Sequence, residues 1–265
     1  MNMENRVTPL QEVVELRSAD RLQEHGLDTR PQSTRDEFWR RLKEASLPWK
    51  TRAAHGILAA EKFFASTAAF DLARTKLMQI MKSNGWRSIA ITSPTPQCGK
   101  SFVALNLAFS LANLDETRTV LMDMDLKDPD LAEMLEMKDP GSMEAFLKGD
   151  VRGEELLRRY EKNLAIGANR QPVRLSAELL QSAAASQALA AMTHEANPDI
   201  VIYDMTSLLL GDDVMAFLPN VDCSILVAAA EQSTVAELDA CERQLAQITN
   251  FAGVILNKCR YTAAW

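Results

Sequence analysis

The residues with the clearest chemical promise lie between Arg87 and Leu114. A strand-like run, Arg87-Ser88-Ile89-Ala90-Ile91-Thr92, leads into Ser93-Pro94-Thr95-Pro96-Gln97-Cys98-Gly99-Lys100-Ser101, and a long apolar helical pattern, Phe102 to Leu114, leads out. A Gly-Lys-Ser at a strand-to-helix turn suits a polyphosphate: backbone N–H groups wrap the anion and the helix N-terminus adds its positive dipole end. Lys100 would reach the terminal phosphates and the Ser101 hydroxyl would ligate Mg²⁺. The usual pattern opens with a glycine where this chain has Pro94. Pro94 and Pro96 donate no N–H, so Gln97 to Ser101 must supply most of the cradle. Thr95, Gln97, Cys98, Gly99, Lys100, Ser101 and Phe102 are therefore the expected nucleotide contacts. A chance Gly-Lys-Ser is the alternative for this motif alone.

Three carboxylates add weight to the nucleotide reading. The run Thr119-Val120-Leu121-Met122 passes into Asp123-Met124-Asp125-Leu126-Lys127, and Ile200-Val201-Ile202-Tyr203 ends in Asp204. Ligands of open α/β sheets sit outside the carboxyl ends of the strands. Asp204 fits a Walker B carboxylate holding Mg²⁺ through water. Asp123 and Asp125, two apart, face one side of an extended chain. One can take a proton from an attacking hydroxyl while the other helps hold the metal. Lys100, Asp123 and Asp125 are the catalytic candidates, and Ser101, Asp125 and Asp204 the metal candidates. A single strand-end Asp more often starts a turn or caps a helix, and Asp128-Pro129 reads as such a cap, with Pro at the first helical position.

The elements that must position these groups alternate. Phe70, Ala73, Leu77 and Ile80 form a helical stripe that Asn84-Gly85 can end. Further short apolar runs cover Leu164–Ala168, Ser224–Ala229 and Gly253–Asn257. Thr234 and Glu237 have capping-box spacing before a helix whose stripe is Leu238, Cys241, Leu245 and Ile248. Strands alternating with helices imply a doubly wound, mostly parallel sheet with helices on both faces.

Residues 1–58 are charged and lack strand-like runs, and read as a polar, partly helical extension to a domain at 59–265. Thr34 and Glu37 have capping-box spacing, and Phe38, Leu42 and Ala45 share a helical face beside Trp39. That face either docks a partner or packs back on the domain.

Composition narrows the classes. The chain has 265 residues, 47% hydrophobic and 25% charged, and can bury a proper core. A net charge of −7 argues against general nucleic-acid binding. No apolar run approaches the roughly 18 residues of a membrane span, and the start shows no signal-peptide segment. The four cysteines are scattered without metal-ligand spacing, as suits reduced cytoplasmic thiols. Cys98 within the loop reads as a small variable residue, with a redox switch as the less favoured alternative.

Over about residues 66 to 260 the pattern resembles the P-loop ATPases of the MinD/ParA type. Within them it resembles the bacterial tyrosine kinases (BY-kinases) of capsule and exopolysaccharide biosynthesis. The resemblance rests on Thr95-Pro96-Gln97-Cys98-Gly99-Lys100-Ser101 and on Asp123-Met124-Asp125-Leu126-Lys127-Asp128-Pro129, which is similar to that family's extra Walker motif. It continues in Glu178-Leu179-Leu180-Gln181-Ser182 and Gly253-Val254-Ile255-Leu256-Asn257-Lys258. The resemblance implies a P-loop NTPase fold, ATP with Mg²⁺, Asp123 as base toward a tyrosine hydroxyl, and Asn257 against the adenine. Asn257 as a plain strand-end turn residue is an equal reading. It also implies activation in trans by a membrane polysaccharide co-polymerase, a peripheral place at the inner membrane, and assembly with further copies of the chain. The expected activity is a protein-tyrosine kinase controlling exopolysaccharide polymerisation and export. The alternatives are a MinD/ParA-like hydrolytic switch and a non-catalytic scaffold.

The chain also departs from that pattern. Lys127 stands for an Arg, and Met205-Thr206-Ser207 for a Pro-Pro turn. Ala68, Asp71 and Arg74 stand for the Glu-x-x-Arg-x-x-Arg of ring assembly, and Tyr261 is alone where the family clusters tyrosines.

Overall fold

The structure is a computed structural model that describes residues 32–57 and 65–259. Its elements run α1 Gln32–Arg41, β1 Lys43–Glu44, α2 Trp49–Ala54, α3 Ala65–Asn84, β2 Ser88–Thr92, α4 Lys100–Ala112, β3 Thr119–Met124 and α5 Leu131–Met134. Then follow α6 Met143–Lys148, α7 Gly153–Leu156, β4 Arg158–Glu161, β5 Leu164–Gly167, α8 Ser176–Leu180 and α9 Ala183–Ala196. The chain continues through β6 Ile200–Met205, α10 Asp213–Phe217, β7 Cys223–Ala229, α11 Val235–Ile248 and β8 Asn250–Asn257.

One eight-stranded sheet has the order β1-β4-β5-β3-β6-β2-β7-β8. Every pairing is parallel except β4 with β5. Strands β3, β6 and β7 are buried along their whole length, because helices cover both faces. One core packs α4, with Leu77 and Met81 of α3, on Ile89, Ile91, Leu121 and Ile202. The other packs α1, α6, α9 and α11 on Val120, Met122, Val201, Tyr203 and Leu226. The chain passes from β2 to β3 on one side and later from β6 to β7 on the other side of β2, so the turn after β2 lies where the winding changes direction.

The expected doubly wound sheet is present, and Thr234 and Glu237 do form a capping box on α11. Three details differ. The first helix of the described chain begins at Gln32, so Thr34 lies inside it rather than at its cap. Asp128-Pro129 precedes a helix that starts two residues later, with Asp130 at its N-cap. Ile248 is exposed at the end of α11, because the sheet beneath ends at β8.

Of the two readings of the Phe38 face, the structure has the one that packs back on the domain. Phe38, Trp39 and Leu42 are buried in the core, β1 pairs with β4, and the Trp39 indole donates to the Ala196 carbonyl at 2.8 Å. The face considered for partner docking is internal, since those rings fill the gap between α1 and α9. Among the described residues no helix is long and apolar enough to cross a membrane.

Candidate nucleotide-binding site

The phosphate loop spans from β2 to α4, and its shape is set largely from outside. Leu208 N–H donates to the Ser93 carbonyl (2.8 Å) and Leu209 N–H to that of Pro94 (3.1 Å). The Gln232 amide donates to the Pro96 carbonyl (3.2 Å) and the Asn257 amide to that of Cys98 (2.9 Å). The Ser93 hydroxyl donates to the Thr95 carbonyl at 2.8 Å and lies 3.0 Å from the Ser207 hydroxyl. Gln97 (φ 63°) and Gly99 (φ 88°) are left-handed, the backbone habit of an anion-binding nest. A Cβ on Gly99 would lie inside 3.0 Å of the Asn257 amide and force it aside, and the left-handed φ adds strain for any other residue. The first N–H groups of α4 have no acceptor within the helix, which directs the positive end of its dipole into the turn.

The carboxylates converge on this turn. Asp123 and Asp204 are register partners on the adjacent strands β3 and β6, and both are fully buried. Lys100 Nζ lies 2.7 Å from Asp125 Oδ2, and Asp125 Oδ1 accepts from Asp128 N–H at 3.1 Å. Asp123 Oδ2 accepts from Leu131 N–H at 3.3 Å. Burial by itself would lower the Lys100 pKa, but the charges of Asp204 and Asp125 outweigh it and hold the ammonium above its ordinary value. Burial, then the neighbouring charges of Asp204 and Asp125, raise Asp123 well above the usual carboxylate range. Burial pushes Asp204 up to about 7 against the pull of Lys100. The Ser101 hydroxyl also favours ionised Asp204 electrostatically, although the two do not meet hydrogen-bond geometry.

The residues present fit Mg²⁺ and a polyphosphate. Ser101 Oγ, both Asp204 oxygens and Asp123 Oδ1 are buried without a hydrogen-bond partner, which is costly unless a further group satisfies them. No cluster of three His, Cys, Asp or Glu side chains forms a metal cage among the described residues.

Of the sequence candidates, Lys100, Ser101, Asp123, Asp125 and Asp204 come together around the turn. The Cys98 thiol is buried, 3.6 Å from Ser233 Oγ and 3.7 Å from Thr95 Oγ1. Phe102 turns its ring away, edge-on to Phe70 at 5.9 Å, so only its backbone serves the loop. Asn257 joins through its contact with Cys98. Tyr261 lies outside the described residues. Sequence reading missed Ser207, Leu208, Leu209 and Gln232, which brace the loop mainly through backbone groups or one long amide. It also missed Asp213, a buried carboxylate paired with Lys127.

A phosphate loop after the central strand, with strand-end carboxylates beside it, defines a P-loop nucleotide-binding domain. The chain belongs to the CobQ/CobB/MinD/ParA nucleotide binding domain family, whose model matches residues 89–264. It is 30% identical over 222 residues to the succinoglycan biosynthesis transport protein ExoP of Rhizobium meliloti, covering 80% of this chain and 27% of ExoP. The chain spans about a quarter of the length of the curated relatives it matches. Its fold is that of the kinase domain of Escherichia coli tyrosine kinase ETK, with TM-score 0.71, 24% identity, and 79% and 83% of the two chains covered. The septum site-determining protein MinD of Pyrococcus horikoshii, complexed with Mg-ADP, is also similar: TM-score 0.55, 20% identity, and 67% and 72% covered.

Proposed function

We propose that this protein is a Mg·ATP-dependent phosphotransferase of the bacterial tyrosine-kinase type, controlling exopolysaccharide polymerisation and export. The observation that carries the reading is the half-buried Lys100 ammonium at the start of α4, 2.7 Å from Asp125 and within the electrostatic reach of the buried Asp123 and Asp204. Phosphoryl transfer asks a protein chiefly for positioning and charge stabilisation, and this cluster supplies both. The N–H groups of Gln97 to Phe102 would hold the phosphates, with Thr95 and Cys98 shaping the loop and Asn257 at its adenine side. Ser101 and Asp204, with Asp125, would hold Mg²⁺, which neutralises charge on the phosphates when bound. Asp123 would orient or deprotonate the acceptor hydroxyl. The similarity to a named transport protein of succinoglycan biosynthesis and to a tyrosine-kinase domain supports the pathway and acceptor class. The partner is a membrane polysaccharide co-polymerase acting in trans, which places the protein peripherally at the inner membrane, on its cytoplasmic side.

A second reading, a hydrolytic conformational switch, is favoured by one observation. Tyr203 is buried within β6, so that tyrosine offers no acceptor hydroxyl in this conformation. The test supplies γ-labelled ATP and Mg²⁺ to purified protein, with and without membranes holding the co-polymerase. Label on tyrosine supports the kinase, whereas label released only as free phosphate supports the switch. Near-normal turnover by Lys100→Ala overturns both.

A further inference from the structure

The two edges of the sheet are built differently. At one end β1 is two residues long, and both, Lys43 and Glu44, are charged. At the other end β8 runs for eight residues, Asn250 to Asn257, without one charge. Natural sheets blunt exposed edges with short strands, charged side chains or bulges. Here β8 carries a bulge near Gly253 that breaks pairing only in its first half. Beyond it, residues 254–257 pair regularly with β7.

The side chains along this edge are apolar and open to solvent. Val254 is 47% and Leu256 59% exposed, although they pair with Leu226 and Ala228, which are buried. Register partners in a parallel ladder point to the same face. Leu226 packs in the core that holds Cys241 and Leu245 of α11, so Val254 and Leu256 lie on the α11 face, outside the helix's cover. The helix returns along β7 and β8, so its first residue, Val235 (74% exposed), lies at the Leu256 end. Ile248 (39%) lies at the opposite end.

The backbone of the same two residues faces outward. The Asn257 carbonyl accepts from Ala230 N–H, so Asn257 directs its polar groups toward β7. N–H and C=O direction alternates along a strand, so Ile255 also faces β7, while Val254 and Leu256 present theirs to solvent. Among the described residues no strand pairs with that side.

We propose that this edge binds a second copy of the chain, β8 against β8, in an antiparallel two-fold dimer. Two identical edges related by a two-fold pair antiparallel. With the axis through Ile255, Val254 of each copy faces Leu256 of the other. In an antiparallel ladder, opposite residues that both face the partner exchange both of their N–H···O bonds. The outward groups of Val254 and Leu256 meet that requirement without a change in register. Pairing also covers their side chains and opposes no like charges, because the strand has none. That neutrality matters in a chain of net charge −7. The seam runs the two sheets into one, with the phosphate loops at opposite ends, since the strands of the two copies point in opposite directions. The dimer therefore forms with or without nucleotide. It does not rest on the kinase reading.

Light scattering after size exclusion, on the whole chain at micromolar concentration, tests this. The wild type should elute at twice 29.4 kDa whether or not Mg·ATP is present. Val254→Lys and Leu256→Glu should each be monomeric, with their circular dichroism spectra and nucleotide binding retained. The double variant, Val254→Lys with Leu256→Glu, puts opposite charges across the seam and should recover the dimer. A monomeric wild type, single variants that stay dimeric, or a dimer seen only with nucleotide would each overturn the proposal. Failure of the double variant to recover would overturn the Ile255-centred pairing. A kinase assay that fails while the dimer behaves as described would count against the proposed function alone.

Discussion

Replacing Gly99 with alanine should damage the site in a way that can be divided into two parts. Gly99 has φ 88°, and a left-handed conformation costs an L-residue about 1–2 kcal/mol. The added methyl would also displace the Asn257 amide, breaking its hydrogen bond to the Cys98 carbonyl, worth about 1 kcal/mol. Gly99→Ala should therefore cost about 2–3 kcal/mol, a melting-temperature drop of roughly 5–10 °C. Asn257→Ala loses the hydrogen bond alone, about 1 kcal/mol. In the double variant the methyl has nothing left to displace, so the total should match Gly99→Ala rather than the sum. Urea denaturation of the four proteins would then give a coupling of about 1 kcal/mol. Additive losses, or a Gly99→Ala protein within about 0.5 kcal/mol of wild type, would refute the reasoning.

Asp204 titrates near 7 in the fold against an ordinary 3.8, mainly through burial. The folded state thus holds this proton more tightly, and the associated stability is complete below about pH 4 and is lost as pH rises to 7. Between pH 5 and 8, without Mg²⁺ or nucleotide, the wild type should lose on the order of 2 kcal/mol more than Asp204→Asn. Parallel pH profiles of the two proteins' urea midpoints would count against it. Asp123→Asn keeps the shape but cannot accept a proton, so ATP affinity should stay within about tenfold while turnover falls about 10²-fold or more. Collapse of affinity in a binding titration would make Asp123 a metal-site residue instead. Trp39→Ala removes a buried indole and its bond to Ala196, and should cost about 3–5 kcal/mol by denaturation. Unchanged stability would mean that α1 is dispensable.

The parts of the fold that announce themselves in sequence are those whose burial dictates residue type. Strands β2, β3, β5, β6 and β7 read as apolar runs because helices cover them on both sides. Strand β4, Arg158-Arg159-Tyr160-Glu161, carries no such run. Its Arg158 is buried only because Glu155, Leu156 and Leu157 carbonyls and the Asp139 carboxylate accept from the guanidinium. That compensation is tertiary and leaves no local pattern. Strand β1 is too short to show a period. The stripe of Phe38 and Leu42 signals a buried face, but a stripe does not say against which surface it packs. Within the site, the convergence of Lys100, Asp123, Asp125 and Asp204 was legible because each stands at a strand end or a helix start that the local pattern locates. The bracing by Leu208 and Leu209 was not, because any residue but proline offers that N–H.

That bracing has a thermodynamic consequence. The carbonyls of Ser93, Pro94, Pro96 and Cys98 are held by four bonds from three other parts of the chain, and two prolines restrict the loop further. A loop fixed in this way has little conformational freedom left to surrender when an anion enters it, so the entropic cost of association falls chiefly on the ligand. A glycine-rich turn in the same place would order itself around each phosphate it met. This one is already in shape, and selects by whether the anion fits.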